Sequence, residues 1–444
     1  MKVKSRNATL AALTLLACSA LIRALLFVNY PPVPYPDTVA YTQLANQIAN
    51  LNFADYDGSR TPLYPLMLLA CHMDFDIARA VQMALGVATT MILFAMILRQ
   101  TDNIRISFIG GLWYSFSLGM MFWENCILTE SLCTFLLVLS FLLMQKCFRA
   151  DFNPRYCAAT GFVVSLACLA RPIMLASAVV MLLWICRGSV SLKIRGTAKA
   201  KRIIAAIIPM MLLIGGWSMF NKATVGYPVL TSLVGYNLSQ HSGAYIEYAP
   251  DRYSVIRTIY LKHRKEEIRQ NGNQSETIWR ARREMQKATG LSFVALSREL
   301  TRLSITLFAQ HPILYFSGVF KAWWKFWTIR ECWLFMEPRC CIWAHRLLCV
   351  VWLVQERVHL PINIGFLVIG ATYLAGSLRR RGSFPVHFPA LVIMVVIVTS
   401  VGQALVTNSS DSERFEAPFE PLVIFSILVA LRHLAMRWTG SSAR

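Results

Sequence analysis

The sequence predicts an all-α, polytopic membrane protein, and three features support that prediction. Hydrophobic residues make up 56% of the 444 residues and charged residues only 15%, whereas a soluble domain carries nearer a quarter of charged residues. Apolar runs recur that are long enough for the roughly 20 residues a helix needs to cross a bilayer. Basic residues gather in short connections that alternate threading places on one face, as the positive-inside rule requires. The net charge of +21 is therefore largely a topology signal and not the mark of a nucleic-acid-binding protein.

Ten apolar segments are predicted to span the membrane. They lie near residues 8–28, 78–98, 105–123, 130–147, 156–170, 172–187, 203–220, 359–378, 386–406 and 417–436. Two ambiguous segments, 304–329 and 341–356, would raise the number to twelve. The first of these contains the tryptophan-rich AWWKFW, a composition typical of the membrane–water interface. Either number places both termini in the cytoplasm, and the first segment is long enough to be an uncleaved anchor.

Three regions follow from this layout. Residues 1–220 form an N-terminal transmembrane module that includes a first outer loop at 29–77. Residues 221–340 form an outer-face helical loop with interfacial helices, and residues 341–444 form the C-terminal transmembrane helices. The basic part of the middle region lacks the apolar content for a large independent core, so we expect it to lie on the outer membrane surface.

The sequence contains no recognisable metal or cofactor motif. Most of the twelve cysteines lie in or beside apolar runs, where cysteine behaves as a small hydrophobe. No CxxC or Cys/His spacing suggests a zinc site. We therefore expect no resident cofactor, and the sequence leaves dependence on a divalent metal open.

The first outer loop begins with an amphipathic helix that we expect to lie flat in the interface. In DTVAYTQLANQIANL, apolar residues at Ala40, Leu44, Ile48 and Leu51 form one helical stripe. Asp37 precedes this helix and fits an N-cap position. Two interpretations of Asp37 remain open at this stage, a helix cap alone or a functional carboxylate at headgroup level.

The same loop ends with an arginine on a stiff backbone. Pro62 and Pro65 follow Arg60 and restrict the chain around it. A guanidinium donates two parallel hydrogen bonds and is the natural partner of a phosphate. The alternative is an ordinary arginine that extends to the interface. Asp55 and Asp57 in ADYDGSR are interpreted as turn residues.

An ordered set of motifs along the chain resembles the GT-C membrane glycosyltransferases, and more narrowly their protein O-mannosyltransferase and lipid A aminoarabinose-transferase group. The first loop carries an acid, an Ala-Tyr pair and a basic residue before a PLYP step, here Asp37, Ala40, Tyr41, Arg60, Pro62, Leu63, Tyr64 and Pro65. Four later stretches also resemble the group: WENCILTESL with Glu124 and Glu130, ARP at 170–172, AQHPILYF, and SERFEAPFEPLVIFSILVAL. Several relatives carry two adjacent acids where this chain has Asp37 and Thr38, and many have a soluble C-terminal domain.

The resemblance implies transfer of a sugar from a polyprenyl-phosphate donor, which is a co-substrate, to a lipid, glycan or protein acceptor. Asp37 would be the base of a single inverting displacement. The expected substrate-binding residues, mostly for the donor phosphate, are Arg60, Tyr64, Tyr41, Glu130, Arg171 and Arg414. The expected place is a plasma membrane, such as a bacterial inner membrane, with the site facing the periplasm or outside. The expected partners are membrane lipids and the two substrates, and no nucleic acid.

Two rival interpretations belong to other functional classes. A lipid flippase or transporter would carry charged groups and broken helices near the bilayer midplane, whereas the acids here concentrate in outer loops. A structural or assembly protein would use the 221–303 segment for docking. Glu124 and a pairing of Arg414 with Glu413 or Glu416 stay open at this stage.

Overall fold

The computed structural model describes residues 2–191, 196–329, 337–379, 387–408 and 412–438, and it confirms the all-α class. The α-helices in these ranges are, in chain order, Lys2–Asn29 (α1), Thr38–Ala49 (α2), Leu63–Ala70 (α3), Phe75–Thr101 (α4), Ile104–Ser115 (α5), Leu118–Asn125 (α6), Glu130–Arg149 (α7), Pro154–Ala170 (α8), Leu175–Ser191 (α9), Gly196–Met210 (α10), Gly216–Val225 (α11), Val234–Ser242 (α12), Ser254–Asn271 (α13), Thr277–Thr289 (α14), Phe293–Gln310 (α15), Pro312–Thr328 (α16), Ile342–Arg379 (α17), Phe388–Val406 (α18), Ser412–Glu416 (α19) and Glu420–Trp438 (α20).

The predicted polytopic character is confirmed. Within the described residues, eight helical stretches are long and apolar enough to cross a membrane, and counting each of two bent pairs as one span gives ten. The eight are Arg6–Asn29, Phe75–Thr101, Glu130–Arg149, Pro172–Val190, Gly196–Val225, Ile342–Gly376, Phe388–Val406 and Arg414–Met436. The bent pairs are α5–α6, at 48°, and α15–α16, at 108°. Helix α8 is apolar but shorter than these spans.

The larger count of twelve spans is wrong for a physical reason. The segments predicted separately at 341–356 and 359–378 belong to one helix, α17, which continues through Pro361. A proline removes one backbone hydrogen bond, but leaving further backbone groups unpaired in an apolar environment would cost more, so the helix continues. The segment predicted at 304–329 is also not a straight span, because the chain turns sharply at His311 between α15 and α16.

Helix α2 is amphipathic as predicted, but its buried face is rotated from the predicted stripe. Tyr41, Leu44 and Ala45 are buried, whereas Leu51 lies beyond the helix and is 82% exposed. Asp37 occupies the N-cap position, yet its side chain makes no capping hydrogen bond. The carboxylate of Asp37 is therefore directed elsewhere, and the interpretation of Asp37 as a cap alone is wrong.

The segment after α11 folds on a second hydrophobic core that is separate from the core of the bundle. Side chains from α12, α13, α14 and α15 meet there, including Tyr236, Tyr260, Met285 and Leu300. The sequence excludes only a large independent core for this segment, and the core that forms is small. The apolar residues lie on one face of each helix, so a modest number of them is enough to form this core. His241 ties the segment to the bundle through a 2.8 Å hydrogen bond to the carbonyl oxygen of Ala404.

Candidate active site

The start of the first loop is pinned to the loop that precedes α7. The backbone of Val33 accepts from Ile127 N at 3.0 Å and donates to the Asn125 carbonyl at 2.9 Å. The Thr38 hydroxyl donates to the Ile127 carbonyl at 2.9 Å and accepts from Tyr35 N. Because Ile127 lies just before α7, these bonds bring the beginning of α2 to the beginning of α7. The two helix starts define one corner of the site.

Asp37 lies between two arginines from distant parts of the chain. Arg60 Nη2 donates to Asp37 Oδ1 at 2.6 Å, and Arg414 Nη1 donates to Asp37 Oδ2 at 3.0 Å. The Asp37 side chain is 30% exposed and that of Arg60 is 18% exposed. The structure thus places Asp37 and Arg60 in direct contact, at the accessible edge of the cluster.

Glu130 holds the inner side of the same cluster. Arg414 Nε donates to Glu130 Oε1 at 2.7 Å, and Arg171 Nη1 lies 3.2 Å from the same oxygen. Arg171 also donates to the backbone carbonyl of Arg414 at 2.8 Å. Glu130 is fully buried, and its Oε2 has no hydrogen-bond partner among the described residues. Of the pairings left open for Arg414, Glu416 instead contacts His359, and the side chain of Glu413 lies outside the described residues.

Arg60 is held by a turn that is anchored on both sides. Gly58 adopts a positive φ of 71°, a conformation that favours glycine, and its carbonyl accepts from Ser232 N at 2.8 Å. Asp57 Oδ1 accepts from Ser59 N at 2.9 Å, in agreement with a turn role for Asp57. The Tyr56 hydroxyl donates to the Arg60 carbonyl at 3.0 Å. These hydrogen bonds therefore fix the backbone of Arg60 in addition to the restriction that Pro62 imposes.

The two predicted tyrosines lie beneath the charged cluster. The guanidinium carbon of Arg60 is 4.9 Å from the centre of the Tyr41 ring, a cation–π distance. Tyr41 packs edge-to-face on Tyr64, with 5.1 Å between ring centres. Tyr64 is fully buried and its hydroxyl donates to Gln82 Oε1 at 2.7 Å. Tyr41 thus supports Arg60 directly, whereas Tyr64 faces inward, and its predicted place beside the donor phosphate stays a prediction.

Sequence reasoning missed three residues that support the charged cluster and the loop before α7. Gln82 donates to the carbonyl oxygens of Glu124 and Cys126 at 2.9 and 2.7 Å, so it fixes the loop that leads to α7. Tyr35 and Phe415 lie under the guanidinium groups of Arg414 and Arg171, at 5.3 and 5.0 Å from the ring centres. A lone amide within the apolar run of α4 was the only sequence signal for Gln82.

Glu124, which the sequence left open, lies outside this cluster. It pairs with Arg23 of α1 through two hydrogen bonds of 2.7 Å each. Both side chains are almost completely buried, at 2% and 1% exposure. Arg23 was also missed by sequence reasoning, because nothing in the first apolar run indicates which later acid it meets.

The cluster carries more positive than negative charge. Among the described side chains, the guanidinium groups of Arg60, Arg171 and Arg414 face the carboxylates of Asp37 and Glu130, which leaves one net positive charge. Burial raises the pKa of Asp37, but Arg60 and Arg414 lower it more, and the resulting pKa is about 2. Asp37 is therefore a carboxylate at neutral pH, and the cluster can accept an anion.

No group of three or more His, Cys, Asp or Glu side chains in the described parts of the chain is placed to hold a metal ion. The expectation of no resident cofactor stays a prediction, and dependence on a divalent metal stays open.

The comparisons with known proteins agree with the predicted class. No curated protein and no solved structure matches the chain. The model of the Alg9-like mannosyltransferase family matches residues 43–245, a stretch that contains Arg60, Glu130 and Arg171 but not Asp37 or Arg414. This family is a different one from the group named by the motifs, but it lies in the same superfamily. Over residues 43–245 the chain is therefore similar to the Alg9-like mannosyltransferases, which are membrane glycosyltransferases of the GT-C superfamily.

Proposed function

We propose that the protein transfers a hexose, mannose in the first instance, from a polyprenyl-phosphate donor to a hydroxyl acceptor in one inverting displacement. The observation that carries this proposal is the net positive cluster around the partly exposed carboxylate of Asp37. The family match supplies the general class of membrane glycosyltransferase, and the name of that family suggests the sugar. The lipid donor, the mechanism and the side of the membrane belong to the proposal.

Arg60 and Arg414 would bind the donor phosphate. Both now donate to the two oxygens of Asp37, and a phosphate oxygen offers the same kind of acceptor with more negative charge. The Nε of Arg60 is buried and has no partner among the described residues, so it has an unused donor. Charge-assisted bonds to a phosphate are the strongest that a guanidinium makes.

Asp37 would then act as the base. In one step the acceptor oxygen bonds to the anomeric carbon, its proton passes to Asp37, and the bond from that carbon to the phosphate oxygen breaks. The leaving group is the polyprenyl phosphate, and the charge that builds on it is stabilised by Arg60 and Arg414. When the phosphate draws the arginines away from Asp37, the pKa of its carboxyl rises and the carboxylate becomes a better base.

The site would face the outside of a plasma membrane, such as the periplasm of a bacterial inner membrane, with both termini in the cytoplasm. The positive-inside distribution of lysine and arginine supports this orientation. A polyprenyl tail reaches such a site from the bilayer, while a lipid, glycan or protein acceptor approaches from the lipid surface or from water.

Reconstitution of the purified protein with labelled polyprenyl-phosphate mannose and an extract of candidate acceptors tests the proposal. The expected result is label on an acceptor with inverted anomeric configuration. Movement of the labelled lipid between leaflets without sugar transfer would instead show a flippase. If neither activity is seen and residues 221–303 bind another protein, the chain is an assembly protein.

A further inference from the structure

Residues 229–232 form a strap that lies along the turn carrying Arg60. Three consecutive carbonyl oxygens of this turn accept hydrogen bonds from the strap: Asp57 from Ser232 Oγ at 2.7 Å, Gly58 from Ser232 N at 2.8 Å, and Ser59 from Thr231 Oγ1 at 2.9 Å. The next carbonyl, that of Arg60 itself, accepts from Tyr56. Every backbone carbonyl from residue 57 to residue 60 is therefore held, and two hydroxyl groups of the strap supply two of the four bonds.

The end of α11 fixes the first residue of the strap. Gly226 follows this helix with a positive φ of 84°, a conformation that favours glycine, and the chain turns there toward the strap. The amide of Asn221 donates to the Val229 carbonyl at 2.6 Å, and its Oδ1 lies 3.0 Å from the Tyr56 hydroxyl. Asn221 is fully buried. Helix α11 therefore holds both the strap and the tyrosine that bonds the Arg60 carbonyl.

The other end of the strap is fixed to the second hydrophobic core. Ser297 Oγ, on α15, donates to the Ser232 carbonyl at 2.5 Å and accepts from Gly235 N at 3.1 Å. A Cβ at Gly235 would overlap the Ser297 carbonyl oxygen, so glycine is needed for α12 to approach α15 this closely. Leu296 and Leu300, which flank this contact on α15, are members of the second core. The strap therefore connects the Arg60 turn to the fold of α12–α15.

The strap bears on the site because a donor phosphate would remove one support of Arg60. The Arg60 guanidinium donates to Asp37 and lies over the ring of Tyr41. A phosphate that replaces Asp37 as the acceptor would leave the guanidinium dependent on Tyr41 and on its own backbone. Donors whose position is fixed beforehand lose less conformational entropy on binding. A rigid turn at residue 60 therefore favours capture of the phosphate.

We propose that Thr231 and Ser232 are positioning residues for Arg60, through which the fold of α12–α15 controls capture of the donor phosphate. The inference rests on the proposed function for the role of Arg60, whereas the placement of the Arg60 turn can be measured in the donor-free protein. Both strap side chains bond the backbone of residues 57–59, so they act on the guanidinium only through the chain that carries it.

Arginine modification with phenylglyoxal tests the placement of Arg60 without sugar transfer. The donor-free protein in phosphatidylcholine nanodiscs is modified, and each arginine-containing peptide is quantified by mass spectrometry. The double variant Thr231→Val and Ser232→Ala removes two hydrogen bonds with little change of side-chain size, so modification of Arg60 should rise roughly tenfold. Thr231→Ser keeps the hydroxyl group and should match the parent. Parent-like modification of Arg60 in the double variant would overturn the proposal.

Internal controls separate a local displacement from unfolding. Arg23 is 2% exposed, so its modification would report loss of the fold. If the double variant unfolds by this criterion, Thr231→Val alone gives the same test, with an expected rise of roughly threefold. Thr224→Val is the matched control, because the Thr224 hydroxyl donates to the Phe220 carbonyl of its own helix. Equal modification of Arg60 in the Thr231→Val and Thr224→Val variants would also overturn the proposal.

Steady-state sugar transfer supplies the second readout. If the strap acts through Arg60, the double variant should raise the KM for polyprenyl-phosphate mannose by roughly tenfold and leave kcat near the parent value. An unchanged KM together with greater modification of Arg60 would overturn the positioning role. If the parent protein transfers no sugar, the proposed function fails, while the modification experiment still decides whether the strap positions Arg60.

Discussion

Two of the arginine–acid clusters in the described part of the chain differ in closure and in charge. The Arg23–Glu124 pair joins α1 to α6 and is almost completely buried. Arg23 also donates to the Ser19 hydroxyl at 2.8 Å, so all three of its nitrogens are bonded. Gly86 makes room for this pair, because a Cβ there would lie 2.0 Å from Glu124 Oε1.

The cluster around Asp37 uses the same chemistry but is open and positively charged. Asp37 is partly exposed, and both Arg60 Nε and Glu130 Oε2 have no hydrogen-bond partner among the described residues. A closed, neutral and fully bonded pair fixes helices in place, whereas an open cluster with unused donors can exchange partners with a ligand. The comparison separates a structural ion pair from a candidate site on physical grounds.

The largest effect should come from Asp37→Asn. The amide keeps the size of the side chain but cannot accept the acceptor's proton, so transfer should fall by roughly 10²–10⁴-fold. Donor binding, measured by retention of radiolabelled polyprenyl phosphate, should persist. Asp57→Asn is the control in the same loop, because an asparagine oxygen can still accept from Ser59 N. Near-normal transfer by the Asp37 variant would remove Asp37 from the role of base.

Substitutions in the buried Arg23–Glu124 pair should lower the stability of the fold and leave sugar transfer almost unchanged. Glu124→Ala leaves Arg23 buried and unpaired, which typically costs about 3–5 kcal/mol. The double variant Arg23→Met and Glu124→Gln should recover most of that loss, since no buried charge remains. Thermal unfolding in detergent measures both, together with transfer per folded molecule, which should stay near the parent value. A Glu124→Ala variant as stable as the parent would contradict a structural role.

Arg60→Ala should act mainly on capture of the donor. Loss of charge-assisted hydrogen bonds worth about 1.5–3 kcal/mol would raise the KM for polyprenyl-phosphate mannose by roughly 10–100-fold. Arg60→Lys should fall between the parent and the alanine variant, because it keeps the charge but not the guanidinium fork. Arg302→Ala, in an exposed pair with Glu299, serves as the control. An unchanged KM would assign Arg60 to packing.

The smallest effect concerns pH. The pKa of Asp37 in the donor-free protein is about 2, below its ordinary value of about 3.9. Its ion pairs therefore stabilise the fold fully above pH 4, and this contribution is lost as pH falls toward 2. If Arg60 and Arg414 bind the donor phosphate instead of Asp37, the pKa of Asp37 is higher in the enzyme–donor complex than in the free enzyme. The acid limb of the kcat profile should then lie at higher pH than the acid limb of the kcat/KM profile. Coincident limbs in steady-state pH profiles would show that the arginines stay on Asp37.

Sequence reasoning predicted the elements of the site better than their contacts. Arg60 stood out because Pro62 and Pro65 follow it, and Asp37 because it precedes an amphipathic helix. The resemblance supplied Glu130, Arg171 and Arg414 as well, although no local pattern shows that they meet. The partners of Arg23 and Gln82 had no signal, since contacts between residues far apart in the chain depend on packing.

The sequence alone determined that this chain is a helical membrane protein, because the length of apolar runs and the placement of lysine and arginine are local properties. Only the tertiary structure decided which charges meet. It joined 341–356 and 359–378 into one helix, turned the carboxylate of Asp37 away from its cap, and paired Glu124 with Arg23. A buried charge needs a partner, and which partner it finds is set by how the helices pack, not by spacing along the chain.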